Sequence, residues 1–155
     1  MTMKNHFAVL LLALATVVTP AAHAAQATDD GFMQRISPYP VSTTLDRLET
    51  VLQAKGLKVF ARIDHTAEAA SVGLSLRPEQ VLIFGNPRIG TLLMREAPDM
   101  GLDLPLRVLA WQDNQGQVHV VWNSPVFLMM RYRLDATAYK PLSAVEGLVD
   151  AALTP

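Results

Sequence analysis

At the end of an alternating stretch, Asp64 and His65 set a carboxylate beside an imidazole, the side chain whose proton leaves near neutral pH. His65 is the candidate general acid or base, with Asp64 or Asp103 as its supporting carboxylate. Because Asp64 and His65 are sequence neighbours, a triad-like hydrogen bond between them does not follow. Ser71, Ser75 and Ser124 lack the setting of a nucleophile elbow.

A different chemistry gathers in Phe84-Gly85-Asn86-Pro87-Arg88. Asn86 is a favoured helix N-cap and Pro87 suits the first helical position. The N–H groups that follow favour an anion, with Arg88 assisting. The expected ligand-binding set is therefore Asn86, Arg88 and His65. The Gly85 to Gly90 spacing lacks the Lys-Ser/Thr ending, so it is no P-loop. Met94, Met100, Met129 and Met130 offer soft ligands for Cu(I), but their spacing is no Met-rich repeat, and core filling is the reading.

Composition removes several classes. The chain has no cysteine, which excludes a Cys nucleophile, thiolate zinc, iron–sulfur clusters and covalent c-type haem. Its net charge of −1 is not the basic footprint of a nucleic-acid binder. Residues 1–24 read as a signal peptide: Lys4, an apolar run from Phe7 to Val18, and Ala22-His23-Ala24 as the cleavage site. Cleavage after Ala24 predicts a periplasmic or secreted chain with no membrane anchor. Only His65 and His119 then remain of four histidines, so a multi-histidine metal centre within one chain is excluded. No metal and no cofactor are expected.

The remaining 25–155 suit a single domain. Phe32 to Ile36 predicts a strand. Thr43 and Asp46 have capping-box spacing before Leu45, Leu48 and Leu52, and Gly56 stops that helix. Leu57 to Ile63 alternates as a strand, with Leu57, Val59, Ala61 and Ile63 on one side and Lys58 and Arg62 on the other. A short helix opens at Asp64-His65-Thr66 and ends by Gly73. Val81 to Phe84 reads as a central strand buried on both faces, and Ile89, Leu92, Leu93 and Ala97 give the next helix its period.

Leu104–Trp111 and Gln117–Trp122 form a hairpin in which Gly116 adopts the left-handed region and Asp113 pairs with Gln117. That register gathers Leu106, Val108, Ala110, Val118, Val120 and Trp122 on one face. Arg107, Leu109, Trp111, His119 and Val121 share the other, a dimer surface or a face lying under a helix. Val126 to Tyr132 predicts a further strand and 141–153 a final helix. The expected architecture is α+β with an α/β-like character: two layers, a mixed sheet and a C-terminal hairpin. With the Leu57–Ile63 and Val81–Phe84 strands parallel across a helical crossover, His65 and Asn86 share one sheet edge, where α/β folds bind ligands.

Ile63-Asp64-His65, Phe84-Gly85-Asn86-Pro87, Gly90-Thr91-Leu92-Leu93-Met94 and Leu102-Asp103-Leu104-Pro105-Leu106 occur in that order. Together they resemble the DUF302 family, also called TT1751-like, over about 31–134. The resemblance implies a compact α+β domain of unknown function able to form a homodimer. It marks Asp64, His65, Asn86, Pro87, Asp103 and Pro105 as motif positions and carries over no catalytic residue.

The leading expectation is a non-enzymatic exported domain that binds a small anionic ligand, or a protein partner, at the His65–Asn86 edge. The alternative is a small enzyme using His65 with Asp64 or Asp103. A third is metal or haem handling by His65 across a dimer.

Overall fold

The computed structural model describes residues 26–27 and 31–154, so the leader expected at 1–24 lies outside the described residues. Six strands form one sheet: β1 (Gln26–Ala27), β2 (Phe32–Ser37), β3 (Lys58–Asp64), β4 (Glu79–Gly85), β5 (Leu106–Gln112) and β6 (Val118–Asn123). Their order is β1-β2-β6-β5-β4-β3. Five helices accompany them: α1 (Val41–Ala54), α2 (His65–Ser71), α3 (Pro87–Glu96), α4 (Pro125–Tyr132) and α5 (Tyr139–Leu153). The architecture is α+β, as the sequence led us to expect.

Period-two alternation sorts the sheet into two faces. Leu82, Phe84, Val108, Ala110, Val118, Val120 and Trp122 are buried against Leu45, Leu48 and Leu52 of α1 and Val145, Val149 and Ala152 of α5. The predicted hairpin register holds: the Asp113 N–H donates to the Gln117 carbonyl at 2.9 Å, and Gly116 has φ +83. Leu109, Trp111, His119 and Val121, on the opposite face, remain partly exposed.

Five expectations are corrected. Every strand pair among the described residues is antiparallel, so the sheet is not mixed. The decisive pair is β3 with β4, which the helical connection was expected to make parallel. A parallel return would carry the chain back along the whole of β3. Instead Thr66 clamps the connection at one end of the sheet: its Oγ1 donates to the Arg77 carbonyl at 3.0 Å and accepts from the Glu79 N–H at 2.9 Å. β4 is likewise not buried on both faces, since Leu82 and Phe84 are buried while Val81 and Ile83 are only partly so.

Residues 125–132 are helical, not extended. Ser124 caps α4 by accepting from the Phe127 N–H at 3.4 Å, and Pro125 takes the first position. The Thr43–Asp46 capping box is also absent: α1 starts at Val41 behind Pro40 with no side-chain cap. Its entry is held by hydroxyls instead. Thr44 Oγ1 donates to the Tyr39 carbonyl, which leaves the Ser37 hydroxyl to donate to Thr44 at 2.6 Å.

A β-bulge shifts the β3 register between Val59 and Ala61. Phe60 is the extra residue, and beyond it the faces exchange. Arg62 therefore turns toward α1, bonding Asp46 at 2.5 Å, while Ile63 is 38% exposed. The expected grouping of Ile63 with Leu57 and Val59 fails for this reason.

Candidate functional site

An apolar cavity of about 490 Å³ opens where β3, β4 and β5 meet α3 and α5. Its floor includes Phe84 and Leu106, and its walls come from Leu93 of α3, Leu104 and Pro105 before β5, and Val145 and Leu148 of α5. Gly85 and Gly90 keep it open: a Cβ on Gly90 would meet only Leu104, at 3.8 Å, and would project into unfilled space. Such a volume falls within the usual range for small-molecule sites, which are mostly apolar with a few polar groups. Here the polar lining includes Asn86, Thr91 and Lys58.

Asn86 owes its place to the strand-to-helix turn. Its backbone is extended (φ −113°, ψ 112°), as the following proline favours, and its Oδ1 accepts from the Arg88 N–H at 3.0 Å. Arg88 itself is exposed and takes no part in the lining.

His65 does not join this site. In the antiparallel pair Lys58 lies opposite Gly85 and Asp64 opposite Gln80. Asn86 and His65 therefore follow opposite ends of the sheet, roughly 20 Å apart at strand rise. Asp64 is committed to structure, its carboxylate capping α2 through the Ala67 N–H at 3.0 Å and accepting from Gln80 Nε2 at 2.9 Å. The His65 ring has no hydrogen-bonded partner among the described residues.

Asp103 lies at the Asn86 end, because β5 runs antiparallel to β4 and begins opposite Phe84. It accepts from the Tyr132 hydroxyl and from Asn123 Nδ2 at 3.4 Å, with Arg131 Nε 3.5 Å away. The hydrogen bond to Asp103 and desolvation raise the Tyr132 phenol above its ordinary 10.0. The expected assembly of His65 with Asp64 or Asp103 is thus not formed. One carboxylate caps a helix and the other ties β5 to α4.

His119 sits in a separate network on the partly exposed sheet face. Its Nε2 is 2.9 Å from Asp113 Oδ2, its Nδ1 is 2.9 Å from Gln34 Nε2, and the ring stacks on Trp111 at 4.5 Å. With both nitrogens engaged, the ring is held in place. Among the described residues no group of three or more His, Cys, Asp or Glu is arranged to hold a metal ion. Met100 is fully buried while Met130 is 75% exposed, so the methionines share no common environment.

Lys58, Phe60, Met94 and the α5 wall were missed as site residues. Lys58 looked like an outward strand residue, and α5 joins the site only through tertiary packing. The one local signal was the run of glycines in Gly85-Asn86-Pro87 and Gly90, where small residues leave room.

The model of the family described as a domain of unknown function, DUF302, matches residues 33–152. A crystal structure titled as an uncharacterized conserved DUF302 protein from Bacillus stearothermophilus superposes with a TM-score of 0.66 at 22% identity, over 79% of this chain and 95% of that one. Two curated relatives named "Fluoride-specific ion channel FluC 1", from Brucella suis biovar 1 and Brucella abortus biovar 1, are each 38% identical over 117 residues. The match covers 76% of this chain but only 46% and 43% of those proteins. This chain therefore spans less than half the length of the curated relatives it matches.

Proposed function

This chain belongs to the DUF302 family, and from that premise we propose that its domain binds a small, largely apolar molecule in the cavity beside Asn86. The single observation that carries the reading is the cavity of about 490 Å³ at the end of the sheet. Binding rather than turnover is supported by the carboxylates, since Asp64 and Asp103 are both engaged away from His65. The leader-like residues 1–24 support a periplasmic or secreted setting.

The test is a fluorescence titration with N-phenyl-1-naphthylamine, an uncharged dye that brightens in apolar surroundings. Saturable binding is expected. Gly90→Leu and Ala144→Leu, which fill the cavity from α3 and α5, should abolish it without lowering the melting temperature. Undiminished binding in both folded variants would remove the cavity from the proposal.

The curated relatives favour a second reading, in which the domain serves a fluoride-specific channel as an accessory part. Among the described residues no helix is long and apolar enough to cross a membrane. Deleting the gene should then lower the fluoride concentration that arrests growth. Unchanged tolerance would end this reading.

A further inference from the structure

We propose that the cavity's occupant is an amphiphile with one anionic end, its apolar body enclosed and its charge held at Lys58. This rests on the cavity being a binding site. Lys58 is the one charged side chain among the described residues that line it, and no aspartate or glutamate does so. Three other cations beside the sheet have carboxylate partners: Arg35 bonds Asp150 at 2.8 Å, Arg62 bonds Asp46, and Arg131 stands by Asp103, while Arg107 of β5 donates to the Leu102 carbonyl. Lys58 has none among the described residues.

Its ammonium instead lies 4.7 Å from the centre of the Phe60 ring, itself 44% exposed and part of the same lining. Opposite Lys58 across the β3–β4 pair stands Gly85, where a Cβ would meet only Pro105 and Phe60 at ordinary distances. The cation is thus set beside open, apolar space. A cationic occupant would be repelled there, and a neutral one would leave the charge unanswered.

Two dyes with a common body separate the charge from the cavity. 8-Anilinonaphthalene-1-sulfonate carries the same aromatic frame as N-phenyl-1-naphthylamine plus one sulfonate. The sulfonated dye should bind the full chain about three- to fivefold more tightly, the upper end of what an exposed ion pair supplies. That preference should narrow as sodium chloride is raised. Lys58→Met should remove the preference and leave the neutral dye bound, Lys58→Arg should keep it, and Lys58→Glu should reverse it.

Equal affinities, or a preference that survives Lys58→Met, would overturn the anionic end while leaving the cavity as a site. Failure of both dyes to bind would overturn the binding reading itself. Displacement of the sulfonated dye by dodecanoate assigns the charge to a free amphiphile. Displacement only by phosphatidylglycerol vesicles assigns it to a lipid, and displacement by neither overturns the class.

Discussion

Replacing Gly31 with alanine should damage the fold far more than the same change at Gly73, although the two backbones are nearly alike. Gly31 has φ +79 and Gly73 has φ +77, in the left-handed region where a Cβ costs about 1 kcal/mol or more. Alanine also removes freedom from the unfolded chain, and that effect offsets part of the cost. At Gly73 nothing lies within 4 Å of the added carbon, so the net loss should be about 1 kcal/mol or less. At Gly31 the carbon would fall 2.4 Å from Phe127 Cδ2 and 2.7 Å from Cγ.

Phe127 packs against the cluster of Leu93, Met100 and Leu128, so its ring cannot simply swing away. Overpacking of this kind costs about 1–3 kcal/mol, which brings the Gly31→Ala loss to about 2–4 kcal/mol. The Gly31 carbonyl also accepts from the Ser124 N–H at 2.8 Å, so any shift is felt at the α4 cap. Urea unfolding followed by circular dichroism measures both variants against wild type, with a common m-value as the check on two-state behaviour. At about 4 °C per kcal/mol the Gly31 variant should melt about 8–16 °C lower. Equal midpoints for the two variants would refute the reasoning, since the Phe127 contact is what separates them. Adding Phe127→Ala to Gly31→Ala should cost less than the sum of the single losses.

Asn86→Ala should lose about 1 kcal/mol by urea unfolding, the usual worth of an N-cap, while Asn86→Ser stays closer to wild type. Asp113 is held below the ordinary aspartate value of 3.8, first by its hydrogen bond to His119 and then by the backbone N–H groups of Gln117 and Gln115. Its folded pKa is depressed, so its contribution is present above that ordinary value and is lost as pH falls through the lower folded one. Asp113→Asn should therefore flatten the loss of melting temperature below about pH 4, and an unchanged acid limb would count against the His119 bond. Thr66→Val removes both bonds that close the β3–β4 connection and should cost about 1–2 kcal/mol. Amide exchange should accelerate across 72–78 while α1 stays protected.

The parts of the fold readable from sequence were those fixed by local chemistry. Asn86 before Pro87 announced its cap, Gly116 its turn, and the alternation from Leu106 to Trp122 its register. What escaped was decided at a distance. Nothing in Ile63-Asp64-His65 reveals that Thr66 will reach Arg77 and Glu79, yet that clamp sets strand direction and so divides His65 from Asn86. The bulge at Phe60 was hidden because Leu57, Val59, Ala61 and Ile63 alternate perfectly on paper, and only pairing with β4 exposes the slip. Residues 126–132 went astray through a usable signal: Asn123-Ser124-Pro125 repeats the polar-residue-then-proline grammar that was read correctly at Asn86-Pro87. Of the cavity lining, Asn86 was therefore legible, while Lys58, Phe60, Met94 and the α5 wall were not.

The two borders of the sheet meet neighbouring molecules on different terms. A long, flat outer strand invites other chains to add to it, and repetition of that event ends in fibres. On one side, among the described residues, the outermost strand is β1, two residues long, which gives an incoming strand little to follow. On the other side β3 runs seven residues, but the bulge at Phe60 breaks its line of N–H and C=O groups, and Arg62 carries charge inward over the helix face. Straightening β3 by deleting Phe60 would restore an unbroken ladder to the outside. The cost would then fall on solubility, with visible precipitation at high protein concentration even where the isolated molecule still folds.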